Sequence, residues 1–273
     1  MKPGYRLHRR WDRMGRLVGD PTMEVLQNSH VLVIGVGGVG SFAAEALARS
    51  GVGTIALMDF DLVCATNTNR QLQAMRDTVG KPKVAVLAER LRRIAPDVDV
   101  REHPFFYEAN LADRFLTEEV DFVVDAIDNL TTKCHLIATC KKKGIPLVVS
   151  TGASGRWDPT RLRVTDLAET TVDPLAASCR KILRKEHGFP AQGPFGVSAV
   201  YSDEPLSEPQ ELAYDKGEGF RCVCPQGDNG LHSCEHRNRI WGTAGFVTGA
   251  FGLTCASVVV RELANRASAA ADA

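Results

Sequence analysis

The chain has 273 residues, 44% of them hydrophobic, enough for one large α/β core or for one domain with an elaborated tail. Lys plus Arg and Asp plus Glu both number 33, so the formal net charge is zero. That balance excludes a globally basic nucleic-acid binder: a nucleic-acid partner would have to be held by local basic patches.

Residues 1–28 read as a polar arm in which Arg6, Arg9, Arg10, Arg13 and Arg16 stand where a secretory signal would be apolar. The rest, 29–273, reads as one domain. A strand near 30–35 runs into Gly35-Val36-Gly37-Gly38-Val39-Gly40 and then a helix over 38–50. A glycine turn between strand and helix builds an anion site, because backbone N–H groups and the helix dipole face whatever the turn admits. Next come a strand at 54–59, a helix at about 81–95, strands at 98–103 and 120–127, a helix at 130–143 and a strand at 145–150. Such alternation predicts an α/β fold, a Rossmann-like doubly wound and mostly parallel sheet. Past residue 155 the pattern loosens, and about 186–239 reads as an irregular insertion marked by Gly193-Pro194, Pro205, Pro209 and Pro225.

The chain ends on a final apolar helix. Ile240 to Val260 is an uncharged run of 21 residues, long enough to cross a bilayer. Gly242, Gly245, Gly249 and Gly252 make it less greasy than a typical span, so a helix buried in the core or in a dimer seam is the reading adopted over membrane contact. The eight cysteines are mostly scattered, as in a reduced cytoplasmic protein.

The glycine turn satisfies a dinucleotide fingerprint, and Asp59 lies at the distance of a ribose-binding acid. The following residues decide between NAD and a triphosphate. Asp59 to Gln71 contains Asp61, Asn67, Asn69 and Arg70, and Gly80-Lys81-Pro82-Lys83 opens the next helix. A dehydrogenase has no special need for Arg70 and Lys83 beside its pyrophosphate. A nucleoside triphosphate carries about four negative charges, which cations must offset before another anion can attack. Asp128, at the end of the fourth strand, would add a magnesium ligand. Each charge alone reads as a solvated surface group or a cap. Their convergence at strand ends favours ATP with Mg2+.

Taken together, GVGGVGS, Asp59-Phe60-Asp61, Thr66-Asn67-Thr68-Asn69-Arg70-Gln71, Gly80-Lys81-Pro82-Lys83 and Asp128-Asn129 resemble the ubiquitin-activating-type adenylating superfamily. That superfamily includes the adenylyltransferases of thiamine and molybdopterin synthesis. The resemblance implies Gly38 against the phosphates, Asp59 on the ribose, Asn67, Arg70 and Lys83 on the phosphates, and Asp128 as the magnesium-linked acid. Gly35, Gly37, Gly40, Asp61, Asn69 and Asn129 complete the expected nucleotide site. Arg13 matches an arginine that reaches into the neighbouring subunit's ATP site, which implies a homodimer with the 1–28 arm at the contact. Arg13, Arg70 and Asp128 are then the expected catalytic residues.

Within the superfamily, Arg13–Gly19, Thr66–Arg70, Val164-Thr165-Asp166-Leu167 and Asp173-Pro174-Leu175-Ala176 resemble the tRNA-modifying branch. Its members cyclise a threonylcarbamoyl group on the adenosine beside the anticodon. The resemblance therefore implies tRNA carrying threonylcarbamoyladenosine as partner. Two readings stay open beside it: an adenylyltransferase for a small sulfur-carrier protein, and a non-catalytic scaffold for a sulfur-relay protein partner. Carrier-activating relatives carry two Cys-x-x-Cys pairs, and this chain has none. Cys222, Cys224, Cys234 and His236 could offer four zinc ligands, but at unusually tight spacing, so they read as loop thiols. Cys179, beside Arg180-Lys181, imitates a thioester-forming cysteine and reads as incidental. Arg90/Arg92/Arg93, Lys141-Lys142-Lys143 and the 180–185 segment are the candidate RNA-facing patches.

Overall fold

The computed structural model describes residues 6–212 and 240–271. In chain order it contains α1 (Asp12–Asn28), β1 (His30–Ile34), α2 (Gly40–Ser50), β2 (Thr54–Met58), α3 (Lys83–Ile94) and β3 (Asp99–His103). There follow α4 (Ala112–Phe115), β4 (Phe122–Asp125), α5 (Leu130–Lys143), β5 (Leu147–Ser150) and β6 (Leu162–Asp166). The described part closes with α6 (Pro174–Glu186), β7 (Ser198–Ser202) and α7 (Gly245–Ala271). The strands form one sheet in the order β3-β2-β1-β4-β5-β7-β6. Every pairing is parallel except β6 with β7. From β1 the chain winds outward to β3, then returns to place β4 on the other side of β1. That reversal opens a crevice at the carboxyl ends of β1 and β4, where sheets of this kind take ligands.

The predicted strands and helices up to residue 150 are present. Beyond them the structure departs from the expected irregularity, because β6, α6 and β7 are regular and β7 lies inside the 186–239 segment. The strands are five residues each, and β6 is only partly buried, so neither shows the apolar run that marks a central strand. The α6 boundary was readable, since Asp173 caps it by accepting from the Ala176 N–H and Pro174 occupies its first turn.

By length and composition Gly245–Ser268 could cross a membrane, yet most of its apolar side chains belong to the core, with Phe246 and Leu253 left exposed. Val247, Phe251, Cys255, Val258, Val259 and Leu263 are buried, and the helix packs on α1, α2, β5 and β7. Its glycines explain why it carries them. A Cβ at Gly249 would touch the Phe42 ring at 3.1 Å, and one at Gly252 would sit 2.3 Å from the Val39 carbonyl oxygen. These small residues let α7 lie directly on the start of α2. Gly252→Ala is therefore expected to cost about 1–3 kcal/mol through overpacking, read as a drop of several degrees in Tm. The displaced Val39 heads α2, so ATP protection against thermal unfolding should shrink as well.

Candidate active site

The glycine turn lies at the crevice, and three of its glycines are required for three different contacts. Gly35 has φ +84°, and a Cβ there would meet the Ala126 carbonyl oxygen at 2.7 Å. At Gly40 a Cβ would collide with the Gly35 carbonyl, 1.8 Å away, which seats α2 against the turn. At Gly38 a Cβ would lie 3.2 Å from the Thr248 side chain of α7, tighter than ordinary contact. Gly37 is different: only the Gln71 amide comes within 4 Å of its missing Cβ. The turn is thus open at its second glycine, where a phosphate would approach the backbone.

Asp59 follows β2 and anchors one wall. Its carboxylate accepts from the Val36 N–H at 2.8 Å and from the Asp61 N–H at 2.9 Å. Burial pushes its pKa up, against the pull of Lys83 and the two N–H groups. Lys83 opens α3 almost fully buried and places Nζ 2.6 Å from Asp61 Oδ2. Burial works against its charge, but Asp59, Asp61 and Asp128 more than offset that, and its pKa is raised. Lys83 is therefore a firmly cationic group among three acids. Asp128 stands exposed just beyond β4.

On the other wall, the 66–73 loop is fastened to the glycine turn. Gln73, fully buried, donates to the Val36 carbonyl at 2.6 Å, and the Leu72 N–H reaches Ser41 Oγ at 3.4 Å. Arg70 is presented from this loop, its guanidinium folded back on the Thr66 carbonyl and Asn69 Oδ1. Asn69 also donates to the Thr243 carbonyl at 2.8 Å, and Thr243 in turn reaches Ser154. The segment that leads into α7 thereby ties the Arg70 loop to the turn after β5.

Two expected binding residues also brace the local backbone through their side-chain oxygens. Asn67 is buried and accepts the Cys64 N–H at 3.0 Å, bracing its own loop. Asn129 caps α5 by accepting the Thr132 N–H at 3.0 Å. Both are short polar side chains beside a helix start or tight turn, where local backbone bonds compete for them. Arg13 lies away from the crevice. Its neighbour Trp11 is buried and donates to the Ala48 carbonyl at 3.4 Å. Ala48 is eight residues along α2 from Gly40, about 12 Å at the rise of an α-helix. Arg13 is exposed at that far end.

Gln73, Thr243 and the buried ion pair of Asp125 with Lys133 went unnoticed in the sequence. Gln73 and Thr243 leave no signal, being single polar residues in loops. Asp125 does leave one: an acid closing Phe122-Val123-Val124 in a strand buried on both faces needs a partner. Among the described residues no group of three or more His, Cys, Asp or Glu forms a metal cage. Magnesium does not need one, since it takes one or two carboxylates and otherwise phosphate oxygens and water. Asp128, exposed at the crevice, suits that use. Cys222, Cys224, Cys234 and His236 lie outside the described residues. Cys179 is buried, and its hydrogen bond with Cys134, with burial, pushes its thiol well up, the opposite of an activated nucleophile.

An open glycine turn, an acid at the end of β2, a buried lysine among acids and an arginine loop fastened to the turn define a nucleotide-binding α/β protein suited to a polyphosphate. The chain belongs to the ThiF family, which it matches over residues 11–271. It is 39% identical over 261 residues, 95% of both chains, to a tRNA threonylcarbamoyladenosine dehydratase of Escherichia coli. A crystal structure of the Escherichia coli dehydratase in complex with ATP superimposes with a TM-score of 0.82 over 95% of both chains, at 38% identity. A molybdopterin-synthase adenylyltransferase of the same organism is 38% identical, but over 136 residues, 50% of this chain and 53% of its own.

Proposed function

We propose that the chain uses ATP to activate the carboxylate of a threonylcarbamoyl group on a tRNA adenosine, and that the activated group closes onto its own base with net loss of one water. The full-length likeness carries this reading: 95% of both chains against a dehydratase, but only half of this chain against a carrier-activating adenylyltransferase. Physically, a carboxylate is a poor acylating agent because its oxygen leaves badly. Attack of that oxygen on the α-phosphorus of ATP releases pyrophosphate and gives an acyl-adenylate. A nucleophile within the same modified base then attacks the acyl carbon, a five-membered ring forms and AMP departs. High effective molarity drives that closure, and no enzyme nucleophile is required.

The protein's task is orientation and charge. The turn N–H groups and the start of α2 face the phosphates, and Asp59 takes the ribose hydroxyls. Arg70 lowers the repulsion between the incoming carboxylate and the triphosphate, joined by Arg13 of the partner subunit. The remoteness of Arg13 from its own glycine turn supports this use across a homodimer, with the 1–28 arm at the contact. Lys83 keeps its charge in the acid cluster and serves the phosphates from there. Asp128 would hold magnesium, which supplies charge for the departing pyrophosphate.

For RNA, the Arg90/Arg92/Arg93 patch is neutralised by Glu45, Glu102 and Glu89. Lys181 and Lys185 of α6 remain exposed on one helix face, a better backbone-binding stripe.

The reaction is tested directly. Threonylcarbamoyl-modified tRNA incubated with the protein, ATP and magnesium should yield AMP, pyrophosphate and a nucleoside lighter by one water. Pyrophosphate exchange that depends instead on a carrier protein ending in Gly-Gly would overturn the reading. Cys179→Ser should keep product formation within a few-fold of the unaltered protein, because the thiol is buried and protonated. Loss of product in that variant, with fold and ATP binding intact, would point to a thioester route.

A further inference from the structure

One buried ion pair beneath the crevice has no part in the chemistry above. Asp125 ends β4, Lys133 lies in the first turn of α5, and their side chains are 0% and 1% exposed with Nζ 2.8 Å from Oδ1. The same Oδ1 accepts the Ile127 N–H at 3.0 Å, while Oδ2 has no hydrogen-bond partner. The peptide held in this way, between Ala126 and Ile127, is the one pressed against the glycine turn. A Cβ at Gly35 would lie 2.7 Å from its oxygen and 3.3 Å from its nitrogen. The Ala126 N–H donates to the Ile34 carbonyl at 2.9 Å, and the next residue after Ile127 is Asp128. A single peptide plane therefore separates the two halves of the nucleotide site.

Apolar residues of similar volume commonly replace a buried ion pair without loss of stability. Folding alone therefore does not call for this one. An acceptor at position 125 does what an apolar side chain cannot: it fixes which way the Ala126–Ile127 peptide faces. We propose that Asp125, held by Lys133, is a positioning residue for the nucleotide. It orients this peptide and so sets the spacing between the glycine turn and Asp128. The inference rests on the ATP-dependent reading above.

Two double variants isolate the effect. Asp125→Leu with Lys133→Met removes both charges and the acceptor. Asp125→Asn with Lys133→Met removes both charges and keeps a carbonyl oxygen for the Ile127 N–H. Measured by calorimetry, ATP should bind at least tenfold more weakly to the leucine variant and within about threefold of the unaltered protein to the asparagine variant, their Tm values being similar. Equal ATP affinity in the two would overturn the inference. Should the leucine variant not fold, amide hydrogen exchange in the unaltered protein decides. The Ile127 amide should exchange at least a hundredfold more slowly than in an unstructured chain, and an unprotected amide would overturn the orientation proposed. Failure of the unaltered protein to bind ATP would count against the adenylation reading instead, with Ile127 exchange still deciding how the peptide is held.

Discussion

Arg70→Ala and Asp128→Ala are each expected to lower turnover by on the order of a hundredfold or more, with the fold retained. The expectation of an intact fold comes from the contacts. The Arg70 guanidinium bonds within its own loop to the Thr66 carbonyl and Asn69 Oδ1. That loop stays fastened through Gln73 to Val36 and through Asn69 to Thr243. Asp128 is exposed, and Lys83 keeps its 2.6 Å bond to Asp61 without it. What is lost is charge facing the reaction. In the proposed reaction, loss of Arg70 would leave the carboxylate approaching an uncompensated triphosphate, and loss of Asp128 would remove the group proposed to hold magnesium for the departing pyrophosphate. Turnover with modified tRNA, alongside thermal melts, makes the comparison. Full activity in both variants would remove these residues from the site.

The second large effect concerns assembly. Arg13→Ala and Arg70→Ala should each be inactive alone and should complement each other when mixed. If Arg13 completes the neighbouring subunit's site, a mixed dimer has one site with both defects and one with neither. Each mixed dimer then keeps half of normal activity, and an equal mixture with free exchange of subunits recovers about a quarter of the unaltered value. The position of Trp11 at the far end of α2 is the reason to expect this, since Ala48, which it contacts, lies about 12 Å of helix from Gly40 and Arg13 follows two residues after Trp11. No recovery, with exchange of subunits verified, would place Arg13 within its own chain's architecture.

Much of the nucleotide side was legible before any coordinates. A strand, glycine turn and helix combine a period with a composition, so Gly35 to Gly40 could be placed at the turn, while the contact that each glycine permits came from the structure. Asp59 and Lys83 could be read because strand ends and helix starts bring charges to the same sheet edge. Asn67 and Asn129 show what a sequence leaves open. Their spacing is right for binding, and an asparagine beside a tight turn or helix start is equally suited to local backbone bonds, which the structure shows each making through its side-chain oxygen. The apolar C-terminal run posed the same difficulty in another form. Its 21 uncharged residues suit a bilayer as well as a core, and the glycines merely tilt the balance.

The sequence by itself determined the local devices: the order of β and α elements up to residue 150, the anion-binding turn and the cation-rich loop that follows it. Each depends on neighbours a few residues apart, through backbone dihedral freedom, helix capping and hydrophobic periodicity. Tertiary structure alone decided the rest. It placed α7 on α2 through Gly249 and Gly252, tied Gln73 to Val36, joined Thr243 to Asn69, and buried Asp125 against Lys133. Those contacts join segments with no shared periodicity, several of them far apart along the chain. Their partners are chosen by packing, by the need to satisfy buried polar groups and by close backbone approach, none of which a single position in the sequence records.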